Sequence, residues 1–408
     1  MSLSEVALGD ILRIKHGFAF KGEHFGSEGE FLVVTPGNFH EEGGFRRRVG
    51  KDRYYTGDIP ESFIFEADDL IIAMTEQGEG LLGSSALVPE TEQFLHNQRI
   101  GLVHSIDVER ADKGFLFYLF NTRPVRSQIR ASASGTKVRH TAPERIYRVK
   151  VSLPSLPEQQ CIASILSGYD DLIENNRRRI ALLEETSRQL YKEWFVRFRF
   201  PGHEHVKIID GVPKGWTVNT IDEVCQTIGG GTPSTQKAGY WDDGDVLWFT
   251  PTDVTRNSCL ALLNSETKIS ESGLNNSSAK IIPAGSILMT SRASVGFFGI
   301  NRLAASTNQG FINIVANEPT LRMYLLQNLM WRVEEIRSHA GGATYKEISK
   351  GRFRALPILM PPLELAGEFE DQMTLLHTQV ETLHIANQQL TKARDLLLPK
   401  LISGAISV

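Results

Sequence analysis

Residues 153–164 read LPSLPEQQCIAS, and residues 360–371 read MPPLELAGEFED. Placing Pro154 on Pro361 also places Leu156 on Leu363, an offset of 207. The same offset pairs Ile162 with Phe369, Leu166 with Met373, Tyr169 with Leu376, Ile173 with Val380, Leu183 with Leu390 and Leu190 with Leu397. Apolar matches held in one register mark an internal repeat, which decides the fold before any single element does. In the first copy, apolar residues fall at 162, 165, 166, 169, 172, 173, 180, 183, 190 and 194. In the second they fall at 365, 369, 373, 376, 380, 383, 386, 390, 393 and 397. Both are heptad-like stripes and predict two long helices. Pro157 suits a helix start and Pro201-Gly202 a stop. Roughly 40 residues at ~1.5 Å each give about 60 Å of helix. One asparagine interrupts each stripe, Asn176 and Asn387. Such a residue either fixes the register of a helix pair at a cost in stability or sits at a partly exposed edge.

Upstream of each helix the repeat continues with small slips. Asp69-Leu-Ile-Ile-Ala-Met-Thr75 is matched by Gly285-Ser-Ile-Leu-Met-Thr290, Asn97-Gln98 by Asn308-Gln309, and Ser134-Gly-Thr-Lys137 by Gly342-Ala-Thr-Tyr345. Short apolar runs at Phe31–Thr35, Leu70–Met74, Ile281–Ile282, Ile287–Met289 and Phe311–Val315 alternate with Gly, Pro, Asn and Asp clusters, the pattern of β-strands and turns. Short helices are expected at Phe115–Thr122 and Leu321–Ser338. The predicted class is α+β: a β-rich segment at 1–152, a helix at 153–202, a second β-rich segment at 203–358 and a second helix at 359–408. Antiparallel pairing of the helices would relate the two halves by a pseudo-twofold axis.

The chain has 408 residues and a formal charge of −4, which suggests two or three domains. No apolar run reaches the ~20 residues of a membrane span, and MSLSEVALGDI lacks the blocks of a secretory leader. Cys161, Cys225 and Cys259 form no CxxC pair, so free thiols and a cytoplasmic location are expected. The mild acidity is misleading, because the charge is segregated. Residues 1–122 carry 11 basic and 20 acidic groups, whereas residues 123–150 carry eight basic groups against Glu144 alone. Local fields, not net charge, steer a polyanion; a basic cluster can also be a solvated face. No phosphate-binding GxxxxGK[ST] loop and no strand-borne GxGxxG is present. Gly229-Gly-Gly-Thr-Pro-Ser234 reads as a loop, and His203-x-His205 lacks further ligands at metal spacing. Pro361-Pro362 lacks the Asn/Asp-Pro-Pro-aromatic setting of an amino-methyltransferase. The sequence therefore predicts a reader with no catalytic, metal or cofactor site of its own.

Leu153-Pro-Ser-Leu-Pro-Glu-Gln-Gln160, Ile-Leu-Ser-Gly-Tyr-Asp-Asp-Leu-Ile173 and Leu-Tyr-Lys-Glu-Trp-Phe-Val-Arg-Phe-Arg-Phe-Pro-Gly202 resemble the central conserved region of type I restriction–modification specificity subunits. Val212-Pro-Lys-Gly-Trp216, Gly230-Gly-Thr-Pro-Ser234 with Tyr240-Trp-Asp-Asp-Gly244 and Trp248, and Gly17-Phe-Ala-Phe-Lys21 resemble the openings of their target-recognition domains. One departure is that Leu365-Ala366 stand where Gln159-Gln160 stand in the first copy. The resemblance implies a DNA-binding subunit of a phage-defence system, with two recognition domains reading a bipartite double-stranded target and coiled-coil helices setting the gap. It implies two methyltransferase subunits using S-adenosylmethionine as partners, and restriction subunits using ATP and Mg. An alternative reading is a structural adaptor carrying two β-rich ligand domains on a helical strut.

On that reading Lys137, Arg139 and His140, and their counterparts Lys346, Lys350 and Arg352, are expected at phosphates. Arg46, Arg47 and Arg48 are expected at phosphate or a guanine edge. Thr232, Ser234, Thr235, Gln236, Lys237, Arg292, Asn308 and Gln309 are candidates for base contact, since Asn and Gln pair with adenine and Arg with guanine. A residue shared by both halves, such as Asn97 or Asn308, can instead hold the fold. Helix pairing and partner docking are expected at Gln159, Tyr169, Asn176, Leu183, Leu190, Trp194, Phe195, Leu376, Leu383, Asn387 and Leu390. Arg177-Arg-Arg179 reads as a solvated face.

Overall fold

The computed structural model describes residues 3–48, 50–89, 93–342 and 346–408. The chain divides into two compact units, Met1–Asp171 with Leu390–Val408, and Leu172–Gln389. Two helices, Leu156–Tyr191 and Leu363–Ile402, each contribute to both. The α+β class expected from the repeat holds.

The units use one plan. In the first, Ser4–Ala7 pairs antiparallel with Lys150–Leu153, so the first and last strands lie side by side. In the second, Thr217–Thr220 pairs the same way with Pro357–Met360. Each last strand runs straight into its long helix. Inside the first unit, a four-stranded sheet has the order Leu12–His16, Ile100–Ile106, Leu70–Ala73 and Ser85–Leu87. A second sheet contains the parallel pair Phe31–Val34 and Gln93–His96. The second unit has a five-stranded sheet around Ile287–Thr290 and Phe311–Ala316, and a smaller sheet with the parallel pair Val246–Phe249 and Ser306–Thr307.

Several local expectations are corrected. Ile281–Ile282 forms only an isolated bridge, Ile282 to Ala305. The helix expected at Leu321–Ser338 breaks at Arg332 into Arg322–Trp331 and Val333–Ser338. The helix Lys113–Phe120 is followed by a second, Arg123–Ala131, opened by Pro124. Ile165 and Leu172 leave the stripe and face solvent. The first long helix ends before Pro201: a π-helical turn at Lys192–Val196 turns Trp194 and Phe195 inward, and Phe198 adopts φ +56°. Those two rings meet Phe369 and, through Phe195, Tyr324 in the core of the second unit. Burial of the aromatics, not the proline, decides where the helix stops.

Within each unit the long helices run antiparallel. In the first, Leu166 joins the core that Leu397 and Leu401 enter, and Arg394 bonds Asp170, which also accepts from the Tyr118 hydroxyl at 2.6 Å. In the second, Ile180 packs with Val380 and Leu383, Leu183 alongside them, and Leu190 and Leu376 join the aromatic core. Tyr169 and Leu390 are half-buried. Asn176 and Asn387 meet each other: the Asn176 amide donates to the Asn387 carboxamide oxygen at 3.0 Å, and the Asn387 amide donates to the Ile173 carbonyl at 3.3 Å.

Gln159 is fully buried and serves the fold, not a docking surface. Its amide donates to the carbonyls of Arg110 and Pro154, at 2.9 and 3.0 Å, and its oxygen accepts from Asp112 N at 3.0 Å. The equivalent position is Ala366, also fully buried. There the tie moves one helical turn on, to Glu370, which accepts from Met323 N at 2.7 Å and from the Arg322 guanidinium.

Asn387→Ala removes a buried amide and the acceptor of the half-buried Asn176 amide, and should lower stability by about 1–2 kcal/mol. Replacing both asparagines with leucine should recover most of that loss, because both polar groups then leave the seam together. Denaturant midpoints of the two variants check this. Gln159→Ala strands three backbone groups and should cost roughly 2 kcal/mol or more in the unfolding of the first unit; a midpoint equal to wild type would refute its clamping role.

Candidate nucleic-acid interface

The parallel strand pair of each unit ends at an open cleft. In the second unit, Val246–Phe249 leads into Thr250-Pro-Thr-Asp253. Asp253 caps the turn by accepting from Thr250 N at 2.7 Å and from its hydroxyl at 2.6 Å. In the first, Phe31–Val34 leads into Thr35-Pro-Gly-Asn38, where the Asn38 oxygen accepts from the same two groups at 2.9 and 2.8 Å. These reciprocal caps hold the turn rigidly at the strand end. Beside them, Asn308 Oδ1 accepts from Gly310 N at 2.8 Å, and Asn97 Oδ1 accepts from Arg99 N at 3.0 Å. The shared asparagines thus shape the loop with their side-chain oxygens, and Asn308 joins the cleft wall as part of that turn. The opening glycines fit tightly underneath. A Cβ on Gly17 would lie 2.0 Å from Asn97 O, and one on Gly230 2.0 Å from Asn308 O.

The second cleft, about 380 Å³, is lined by Pro251, Thr252, Thr255, Arg292, Ser294, Asn308 and Gln309. Arg292 is therefore brought beside the neighbouring pair Asn308 and Gln309. Thr232 reaches Gln309 with a 2.6 Å hydroxyl bond. Ser234, Thr235, Gln236 and Lys237 continue that loop on the surface. Trp241 donates to the Ser234 carbonyl at 3.1 Å, and the Lys237 ammonium sits on the Tyr240 ring and hydroxyl, so Lys237 braces the loop. Lys346 and Lys350 are exposed. Arg352 turns toward the His339 carbonyl at 3.3 Å, and Arg354 serves the fold through Thr227 and Asp222.

The first cleft, about 560 Å³, is basic: Arg46, Arg48, Lys51, Arg53 and Arg99 line it with Thr35, Asn38, Thr75, Gln77 and Val138. Of the arginine triplet, Arg47 is the exception. Its Nε bonds Asp52 at 2.9 Å and its Nη2 bonds the Tyr54 hydroxyl at 3.1 Å. The Asp52 side chain is only 4% exposed, and it also accepts from Arg48 N and from the Asn38 amide. The cleft's acid is thereby spent internally, which leaves the cations facing out. Lys137 is exposed on the adjoining hairpin, and among the described residues it meets no carboxylate. Arg139 and His140 form its second strand, paired with Glu76 and Thr75.

The basic stretch 123–150 is not one surface. Arg126 donates to the carbonyls of Leu82, Glu41 and Gly80, and Arg130 bonds Glu76 and Glu79. Below the cleft, burial pushes His96 down to about 4, so it is neutral, with Nε2 on the Ile100 carbonyl at 2.9 Å. Burial likewise pushes the Cys225 and Cys259 thiols up to about 12, which leaves them unreactive; Cys161 is exposed.

The hydrogen bonds correct two details of the repeat. Met74 N donates to Arg99 O at 2.9 Å as Ser291 N does to Gly310 O at 2.7 Å, which sets Thr75 on Arg292 and not on Thr290. The hairpin shifts as well. Ser134 and His140 exchange backbone bonds at 2.9 and 2.8 Å, as do Gly341 and Glu347. This sets Gly135 on Gly342, both left-handed, at φ +93° and +114°, one residue from the register read from sequence. Ala343, Thr344 and Tyr345 of that motif lie outside the described residues. The turns Thr35–Asn38 and Thr250–Asp253 were missed, as were Lys51, Arg53 and Arg99. A signal existed: FLVVTPGN and VLWFTPTD share an apolar run, Thr-Pro and a capping residue at the same spacing.

Arg46→Ala and Arg48→Ala should leave the thermal midpoint nearly unchanged and weaken binding to duplex DNA, each reducing the salt slope of binding by about one. Arg47→Ala should instead destabilise the first unit by about 1–3 kcal/mol, since it strips a partner from buried Asp52. A stable Arg47→Ala variant with a reduced slope would reverse the assignment.

The family model described as "Type I restriction modification DNA specificity domain" matches residues 3–185 and again 213–390. The MjaIX type I restriction enzyme specificity subunit of Methanocaldococcus jannaschii is 29% identical over 201 residues, 49% of this chain and 46% of that one. The HindI specificity subunit of Haemophilus influenzae is 25% identical over 358 residues, 72% of this chain and 77% of that one. The match thus spans under half of the first relative and about three quarters of the second. A crystal structure of a type I system S subunit from M. genitalium shares the fold, with a TM-score of 0.59 at 15% identity, covering 98% of this chain and 96% of that one. Matched twice by one family model, once over each of its repeats, the chain belongs to the type I restriction–modification DNA specificity family.

Proposed function

We propose that this chain is the specificity subunit of a type I restriction–modification complex and reads a bipartite double-stranded DNA target, one half-site per unit. The observation that carries this is the repeated cleft: one capped Thr-Pro turn and one asparagine loop, built twice, with different polar side chains around each. A duplicated scaffold with divergent linings suits two unlike half-sites. Arginine and lysine at the rims would hold phosphates, and side chains on the cleft loops would read base edges. The long helices set the separation of the half-sites. An adaptor role is not favoured, because nothing in it calls for a basic cleft or for this family.

The chain itself performs no chemistry in this reading. Modification subunits bring S-adenosylmethionine and methylate the target, and restriction subunits bring ATP and Mg. Among the described residues no helix is long and apolar enough to cross a membrane, and a cytoplasmic setting, where the DNA lies, follows from the function.

Purified chain should transfer no methyl group to DNA, and should confer site-specific methylation when mixed with modification subunits, measured with labelled cofactor. Transfer by the chain alone would overturn the reading. A helical turn inserted near Arg188 should lengthen the spacer between half-sites in the methylated motif.

A further inference from the structure

The two hairpins beside the clefts share the hydrogen bonds that close them and tie them to the sheet, yet carry different side chains at one cross-strand pair. In the first unit, Thr141 N donates to Met74 O at 2.9 Å, and Thr75 sits opposite His140. In the second, Ile348 N donates to Ser291 O at 3.1 Å, and Arg292 sits opposite Glu347. Thr75 and Arg292 each line their cleft. Each also touches its cross-strand partner: His140 Nδ1 lies 3.1 Å from the Thr75 hydroxyl, and Arg292 Nε donates to Glu347 Oε1 at 2.8 Å.

Resting on the specificity-subunit reading, we propose that Arg292, aimed by Glu347, is the guanine-reading residue of the second half-site, and that Thr75 with His140 reads a different base at the equivalent place in the first. The chemistry follows from which donors are occupied. Glu347 engages Nε and restrains the guanidinium, and the two terminal nitrogens of this cleft-lining side chain form a planar fork. That fork matches the two acceptors, O6 and N7, on the major-groove edge of guanine, and no other base presents that pair. A threonine hydroxyl and an imidazole offer no such fork. The pair's role is not chiefly structural. Arg292 is 51% and Glu347 43% exposed, and an ion pair that open to water adds little to folding.

The test is selection of full-length chain on a randomised duplex pool, repeated with Arg292→Lys, Arg292→Ala and Glu347→Gln. Wild type should enrich a two-part motif. Arg292→Lys, which keeps the charge and loses the fork, should turn one guanine of one half-site degenerate, lowering discrimination there on the order of ten-fold. The other half-site should stay unchanged. Arg292→Ala should do the same, and Glu347→Gln should weaken the preference partway. If Arg292→Lys keeps the full motif and Arg292→Ala only lowers the salt slope, Arg292 is a phosphate contact and the proposal falls. A wild-type pool with no motif would overturn the specificity reading itself and the proposal with it. A motif lacking guanine in both half-sites would overturn the proposal alone.

Discussion

A seam of leucines between two helices has no inherent register. Shifting one helix by a heptad against the other would still bury apolar surface. The bond between Asn176 and Asn387, with its second link to the Ile173 carbonyl, removes that freedom, because any shift strands both amides, one buried and one half-buried, between the helices. Much else in the second unit follows from that alignment. Ile180 reaches Val380 and Leu383 and, with them, Ala261 of the sheet and Cys259 just before it. Glu184 reaches Leu260 N at 2.6 Å, with burial raising its carboxyl above the usual range. Tyr191, Trp194 and Phe195 close around Phe369. The stabilisation from one amide pair is small; its consequence is positional.

Charge shows the same separation of sum from arrangement. An acidic chain presents a basic cleft because the acids that could neutralise it are committed elsewhere. Asp52 is held by Arg47 and by two amides, and Glu76 accepts from Gly80 N and Leu82 N while facing Arg130. An acid paired with an internal cation is largely neutralised in place, so the outward cations dominate at the distance of an approaching polyanion.

The duplication is most informative where its two copies differ. Asn97 and Asn308 perform the same loop-shaping bond, and Gly17 and Gly230 the same close approach, so these positions belong to the scaffold. Gln159 and Glu370 fasten the long helix to the unit beneath by different side chains, one helical turn apart. The geometry needed was an acceptor at the start of a short helix, and either residue supplies it. By contrast, Thr75 and Arg292 occupy matching places with unlike chemistry, as expected of side chains answerable to a ligand and not to the core.

What the sequence determined by itself was periodic or local. The 207-residue offset, the two helical stripes, the asparagine in each and the apolar strand runs are all properties of neighbours along the chain, and a period of 3.6 or 2 can be read without partners. The Thr-Pro turns are equally local, written alike in FLVVTPGN and VLWFTPTD. What only the tertiary structure decided was direction. Arg46, Arg47 and Arg48 are indistinguishable as a string, yet Arg47 turns inward because Asp52 waits there, while its neighbours face the cleft. Arg292 is oriented by Glu347, 55 residues away. The helix ends where Trp194 and Phe195 find a core, not where Pro201 would have stopped it. A side chain's orientation is set by the group that satisfies it, and that group is brought close by folding, not by sequence.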